Sequence, residues 1–169
     1  MKVLGAIVAG GQARRFGSDK GAALVAGKAL IDHVVGALSA VADTVVIVGR
    51  TWPNLASIPD HPAPAQGPLG GIAGALAYAK AHGFDAVLSA GCDALGLSAD
   101  HLDALKPGPA VLASQPVIGL WPTGLAVPLA DWMVDPAHRS VFAFADYCGA
   151  RRVVVANPPA NINWPADLP

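Results

Sequence analysis

The sequence predicts an α/β fold in three α/β/α layers, with a mostly parallel sheet covered by helices on both faces. Short apolar strands alternate with helical patterns through roughly the first hundred residues, the signature of strand–helix–strand units. Hydrophobic residues make up 53% of the chain and charged residues only 14%, so most strands should be buried on both sides, as in parallel sheets. The 169 residues contain no internal repeat and no long linker, which fits one domain with a sizeable core.

The first strand is the apolar run Val3–Val8. It leads into Ala9-Gly10-Gly11-Gln12-Ala13-Arg14-Arg15-Phe16-Gly17-Ser18-Asp19-Lys20, a loop combining three glycines with three cations. Glycines let the backbone turn tightly and approach a ligand, and successive N–H groups form a concavity that accepts phosphate oxygens. Arg14, Arg15 and Lys20 would offset polyphosphate charge. The loop therefore reads as a triphosphate site; a plain strand-to-helix loop with a solvated basic edge is the alternative. Neither the P-loop spacing nor G-x-G-x-x-G is present, because Gly10 and Gly11 are adjacent and Gly21 follows Lys20.

Leu30, Ile31, Val34, Val35, Leu38 and Val41 recur at helical spacing and predict a helix over 28–41. Thr44–Val48 is the second strand. Residues 50–66, with four prolines and Trp52, read as an ordered surface loop. Asp60 lies within it and by itself would be a solvated turn residue. Gln66-Gly67-Pro68-Leu69-Gly70-Gly71-Ile72 opens a helix over 69–82 that stops at Gly83. Its free N–H groups suit a base or ribose, and close helix packing explains the glycines equally well.

Ala86–Ser89 is the third strand, followed by Gly91-Cys92-Asp93. A carboxylate at a strand end facing a triphosphate is placed to hold Mg2+, and capping the next turn is the simpler role for Asp93. Ligands of open α/β sheets bind beyond the strands' carboxyl ends. The glycine loop, the 49–68 loop and Asp93 can thus share one crevice. Beyond it, Ser98 caps a helix reaching Leu105, Ala110–Ala113 is a strand, and Pro116–Trp121 reads as a buried one. A last helix spans Ser140–Cys148 and a last strand Arg152–Val155. Arg139 and Ser140 are candidates for meeting an anionic second substrate, although an N-cap role explains Ser140 fully.

Composition excludes several classes. A net charge of −1 gives no broad nucleic-acid footprint. Two cysteines, Cys92 and Cys148, cannot form a disulfide framework and read as small buried hydrophobes. The chain has no Glu, no histidine pair at metal-ligand spacing and no G-x-S-x-G. The N-terminus lacks a signal-peptide pattern and no apolar run reaches membrane-spanning length, so a cytoplasmic protein is expected.

The loop resembles the signature L-A-G-G-x-S-x-R-x-G-x-x-K of molybdenum cofactor guanylyltransferases, with Val8 for Leu, Ala13 for the small residue and Phe16 for Met. Ala9-Gly10-Gly11 favours this branch over the cytidylyltransferases, which more often carry A-A-G. Further likenesses are Gly67-Pro68-Leu69 to G-P-L-x-G-I, Cys92-Asp93 to P-C-D-T-P, and Asn161-Ile162-Asn163 with Pro165 to N-I-N-T-P-E-D-L. The departures are Gly91 for Pro, Ala94-Leu95 for Thr-Pro, Trp164 for Thr, and Gly49 for an Asn that follows the second strand.

The resemblance implies a Rossmann-like nucleotidyltransferase fold, with residues 1–100 holding the nucleotide and 101–169 the acceptor. It implies transfer of GMP from GTP to the terminal phosphate of molybdopterin cofactor, with release of pyrophosphate. Implied nucleotide-binding residues are Val8, Ala9, Gly10, Gly11, Lys20, Asp60, Gly67, Pro68, Leu69 and Asp93. Arg15, Lys20 and Asp93 would act in catalysis, Asp93 holding Mg2+. A monomer is expected, meeting proteins that deliver or receive cofactor but no nucleic acid or membrane. The alternatives are CTP or a sugar-phosphate acceptor on the same fold, or a non-catalytic binding module.

Overall fold

The computed structural model describes residues 1–10 and 17–169. Gly11, Arg14 and Arg15 lie outside the described residues. The first strand, β1 (Val3–Val8), matches the predicted run. After the glycine loop, β2 (Leu24–Val25) and β3 (Lys28–Ala29) form a hairpin that the sequence reading assigned partly to a helix. Ala26 and Gly27 turn it with φ of 52° and 76°, the paired positive values that a two-residue hairpin turn requires.

Helix α1 (Leu30–Ser39) therefore starts two residues later than periodicity suggests. β4 (Thr44–Val48) follows, and then β5 (Ala56–Ile58), a short edge strand inside the proline-rich segment read as loop. α2 (Gly67–Ala81) ends at Gly83, whose φ of 73° lets Phe84 N–H reach Ala79 O at 2.9 Å. β6 (Ala86–Gly91) and β7 (Ala94–Leu95) flank Cys92-Asp93, and α3 (Ala99–Asp103) follows.

The remainder comprises β8 (Ala110–Leu112), β9 (Gly119–Pro122), α4 (Ala126–Trp132), α5 (Val141–Tyr147), β10 (Arg151–Val153) and β11 (Ala160–Asn161). α4 has no counterpart in the sequence analysis; it carries Pro128 in its first turn, where the missing N–H costs nothing.

Among the described residues the main sheet has seven strands, ordered β10-β8-β9-β6-β1-β4-β5. β6, β1, β4 and β5 run parallel, β10 parallels β8, and β9 is antiparallel to β6 and β8. Period-two alternation divides the core. Leu4, Ala6, Val46, Val87 and Trp121 face α2, α4 and α5, while Ile7, Ile47, Leu88 and Leu120 face α1 and α3. Cys92 is buried as expected, whereas Cys148 is only half-buried. No helix among the described residues is long and apolar enough to cross a membrane.

Register positions the functional end. Val8 pairs with Val48 on one side and with Gly91 on the other, and Val48 pairs with Ile58. Four parallel strands thus end level. The segments leaving them, Ala9-Gly10, Gly49-Arg50, Pro59-Asp60 and Cys92-Asp93, emerge at one sheet edge, as the strand-end rule anticipates.

Candidate active site

A cleft of about 310 Å3 lies over that edge. It is lined by Val8, Ala9, Gly10, Lys20, Gly67, Pro68 and Asp93 together with Ser114–Val117 and Asn161. Seven of the predicted positions therefore share one cavity.

At its centre Lys20 Nζ stands 2.8 Å from Asp93 Oδ2, both side chains about one-fifth exposed. The ammonium also donates to Ile162 O at 3.4 Å. Asp93 is held from behind: β7 pairs with β11, and Ile162 N–H donates to Asp93 O at 3.3 Å. A Cβ on Gly91 would lie 2.5 Å from Asp93 Oδ1. The carboxylate folds back over the space that glycine leaves, so replacement of the resembling family's Pro changes how this loop packs. Cys92 is buried beneath, and burial followed by the adjacent Asp93 charge pushes its thiol up to about 11. It is protonated at neutral pH and no nucleophile.

Asp60 stands against the glycines rather than in solvent. Its carboxylate oxygens lie 3.3 and 3.4 Å from where a Gly10 Cβ would be. Oδ1 is buried with no hydrogen-bond partner among the described residues. Burial raises its pKa, opposed by the Ala65 N–H. A buried acceptor without a partner costs free energy, and Asp60 is not itself among the residues lining the cleft. Gly49, with φ of 82°, explains the missing Asn: a Cβ would come within 2.6 Å of Gly10 Cα. The two strand-end loops touch through backbone, and only glycine fits.

Helix α2 contributes through its glycines. A Cβ on Gly71 would meet Val8 Cγ1 at 2.6 Å, and one on Gly74 would overlap Pro59 O. The glycine face thus lets α2 seat closely on β1 and on the segment carrying Asp60, while Gly67, at φ of 72°, opens the first turn to the cleft. The packing reading of this cluster holds at Gly71 and Gly74.

Three expectations change. Ala9 N–H donates to Val48 O at 3.1 Å, so it belongs to the sheet and phosphate-facing amides can begin only beyond it. Leu69 is fully buried in the core, which leaves its backbone alone for a ligand. Arg139 is taken up structurally: Nε donates to Gln66 Oε1 at 3.0 Å and Nη1 to the carbonyls of Met133, Asp135 and His138, while Ser140 caps α5 by accepting from Ala143 N–H.

Sequence reasoning missed Ser89 and Arg50. Buried Ser89 donates to Val117 O at 2.6 Å and accepts from Trp121 Nε1 at 2.9 Å, fixing one wall of the cleft. A serine inside an apolar strand was the available signal. Arg50 sits at the same strand-end level as the predicted residues, and the rule that selected those could have selected it.

Residues 5–146 match the family model for a MobA-like NTP transferase domain. The molybdenum cofactor guanylyltransferase of Cereibacter sphaeroides is 33% identical, over 99% of this chain and 94% of that protein. That of Acidiphilium cryptum is 30% identical over 96% and 90% respectively. Molybdopterin-guanine dinucleotide biosynthesis protein A from Archaeoglobus fulgidus superposes with a TM-score of 0.72 at 22% identity, over 97% of this chain and 94% of its own. A nucleotidyl transferase from Methanothermobacter gives 0.71 at 18% identity, over 98% and 94%. With this sheet, this cleft and these relatives, the chain belongs to the MobA-like NTP transferase family.

Proposed function

We propose that this protein transfers GMP from GTP to the terminal phosphate of molybdopterin cofactor. The observation that carries this reading is the meeting of Lys20 and Asp93 at 2.8 Å in a cleft walled by both halves of the chain. Near-full-length similarity to proteins named molybdenum cofactor guanylyltransferase supports it. An acceptor phosphate oxygen attacks the α-phosphorus in line; the bond between that phosphorus and the α–β bridging oxygen breaks, and pyrophosphate leaves with the electron pair. No protein nucleophile is needed, and catalysis is positioning plus charge stabilisation.

In this reading residues 1–100 supply Gly10, Lys20, Asp60, Gly67, Pro68 and Asp93 to the nucleotide, and Arg15 and Gly11 are assigned to it from the motif alone. Residues 101–169 supply Ser114–Val117 and Asn161 to the acceptor side. Asp60, whose Oδ1 has no hydrogen-bond partner among the described residues, would accept hydrogen bonds from the base.

Asp93 would hold Mg2+. One carboxylate completed by substrate phosphates is how this ion is usually bound, and among the described residues no cluster of three or more acidic, His or Cys side chains competes for the role. When bound, the ion draws charge from the phosphate oxygens. For it to enter, Lys20 must exchange Asp93 for a phosphate oxygen. All of these side chains come from one chain, so a monomer suffices, and the reading places the reaction in the cytoplasm with cofactor-handling proteins as partners.

Thermal-shift titration with GTP, CTP, ATP and UTP, with and without Mg2+, tests this reading. A hundredfold excess of a ligand over its dissociation constant stabilises by about 2.7 kcal/mol, and only GTP should produce the shift. Asp93→Asn should keep the fold and lose the Mg2+ dependence of pyrophosphate release. A preference for CTP, or an unchanged Mg2+ titration in Asp93→Asn, would overturn the assignment.

A further inference from the structure

Arg50 leaves β4 just beyond Gly49 and turns back toward the exit of the glycine loop. Its Nη1 donates to Asp19 Oδ1 at 2.7 Å and its Nη2 to Asp19 Oδ2 at 2.8 Å, a parallel two-pronged pair. Asp19 immediately precedes Lys20. On the other side Gly21 is buried, and a Cβ there would lie 2.7 Å from Ile31 Cδ1 and 3.3 Å from Arg50 Nη1. Both chain neighbours of Lys20 are therefore packed against this one guanidinium.

The guanidinium is itself held. It lies 5.2 Å from the Trp52 ring centroid, and Trp52 Nε1 donates to Asp32 Oδ1 on α1 at 2.8 Å. Ser57 Oγ on β5 donates to Arg50 O at 2.7 Å. Two elements of the scaffold thus fix Arg50, which fixes Asp19. The pair keeps side-chain exposures of 28% and 48%, and an ion pair that open to water contributes little stability. Its geometry is nonetheless the planar match that arginine makes and lysine does not.

We propose that Arg50 is the positioning residue for Lys20, fixing the end of the glycine loop through Asp19 so that the ammonium meets the reacting phosphates. The role rests on the nucleotidyl-transfer reading. Arg50 does not touch the substrate; its fork is engaged by Asp19, and its effect reaches the reaction through the placement of Lys20.

The test is steady-state pyrophosphate release from GTP with molybdopterin as acceptor, for wild type, Arg50→Ala, Arg50→Lys, Asp19→Asn, Lys20→Ala and the double variant Lys20→Ala/Arg50→Ala. A misplaced catalytic group should lower kcat about tenfold in Arg50→Ala, with the KM for GTP within roughly twofold and the Tm nearly unchanged. Arg50→Lys should fail equally, because it keeps the charge and loses the fork. In the Lys20→Ala background, removal of Arg50 should cost less than about twofold more, since residues acting as a unit are not additive. Asp19→Asn, at an exposed side chain, gives the same comparison if Arg50→Ala does not fold. Full kcat in Arg50→Lys, or losses that multiply with Lys20→Ala, would overturn the role. A wild type that releases no pyrophosphate overturns the transfer reading and this inference with it; an active wild type with unaffected Arg50 variants overturns this inference alone.

Discussion

The role proposed for Asp60 and its contribution to stability oppose each other. Burial lifts its carboxyl above the usual 3.8, so the folded state holds the proton more tightly than the unfolded chain does. That contribution is complete below the unfolded pKa and is lost as pH rises through the folded one. Once ionised, the carboxylate has one oxygen with no hydrogen-bond partner among the described residues. Asp60→Asn should raise the melting temperature at pH 7, and the gain should shrink at pH 4, as falling pH carries the wild-type carboxyl toward its protonated form. The same substitution presents an amide to whatever the carboxylate receives, and it should weaken GTP binding about tenfold, the scale of one charged hydrogen bond. Melting curves at both pH values and a GTP titration decide it; unchanged affinity would remove Asp60 from the site. Lys20 and Asp93 are simpler, since the site has already paired them and ligand entry must part them.

Helices and strands decide whether these residues meet, and glycine is where that is most testable. Gly74 on α2 has no room for a Cβ against Pro59 O, whereas Gly36, exposed on α1, would meet nothing closer than Lys28 Nζ at 3.8 Å. Gly74→Ala should therefore destabilise by about 1–3 kcal/mol through overpacking and weaken GTP binding by displacing Asp60. Gly36→Ala should stabilise by up to about 1 kcal/mol through helix propensity and leave binding alone. Similar shifts from both would refute the packing account. The same elements show what a sequence carries. β1, β4 and β6 were legible as mostly apolar runs, and α2 and α5 by the glycines that end them, because those signals are local. β5 and the β2–β3 hairpin were not, since strands of two or three residues take their identity from a partner strand. As candidates, Lys20 was legible from the cations of the glycine loop and Asp93 from its place at a strand end, whereas Asp60 was legible only through resemblance to a family motif. Arg50 was not, because its partner Asp19 is brought to it by the fold.

Across the whole molecule, the site depends on a chain that returns to its own beginning. β1 starts at Val3 and β11 ends at Asn161, yet Ile162 contacts both halves of the ion pair: its carbonyl accepts from Lys20 Nζ at 3.4 Å and its N–H donates to Asp93 O at 3.3 Å. Its side chain, 1% exposed, packs with Leu30 at the head of α1. Beyond it, Asp167 Oδ2 accepts the N–H groups of Asn163 at 2.9 Å and Trp164 at 2.8 Å, which holds its pKa below the usual value. The segment is a clasp fixed by backbone contacts, with Asp167 organising the turn at Asn163 and Trp164. Ile162→Ala should cost about 2–5 kcal/mol as a buried large-to-small change. It should also lower turnover at temperatures where the protein remains folded, because Lys20 and Asp93 lose their common support. Trp164→Ala, at a side chain 53% exposed, should leave turnover unchanged. Calorimetry and pyrophosphate release on the two variants separate the cases. If Ile162→Ala loses stability and keeps full activity below its melting transition, the clasp only closes the fold; if both fall together while Trp164→Ala stays active, the last ten residues hold the catalytic pair in place.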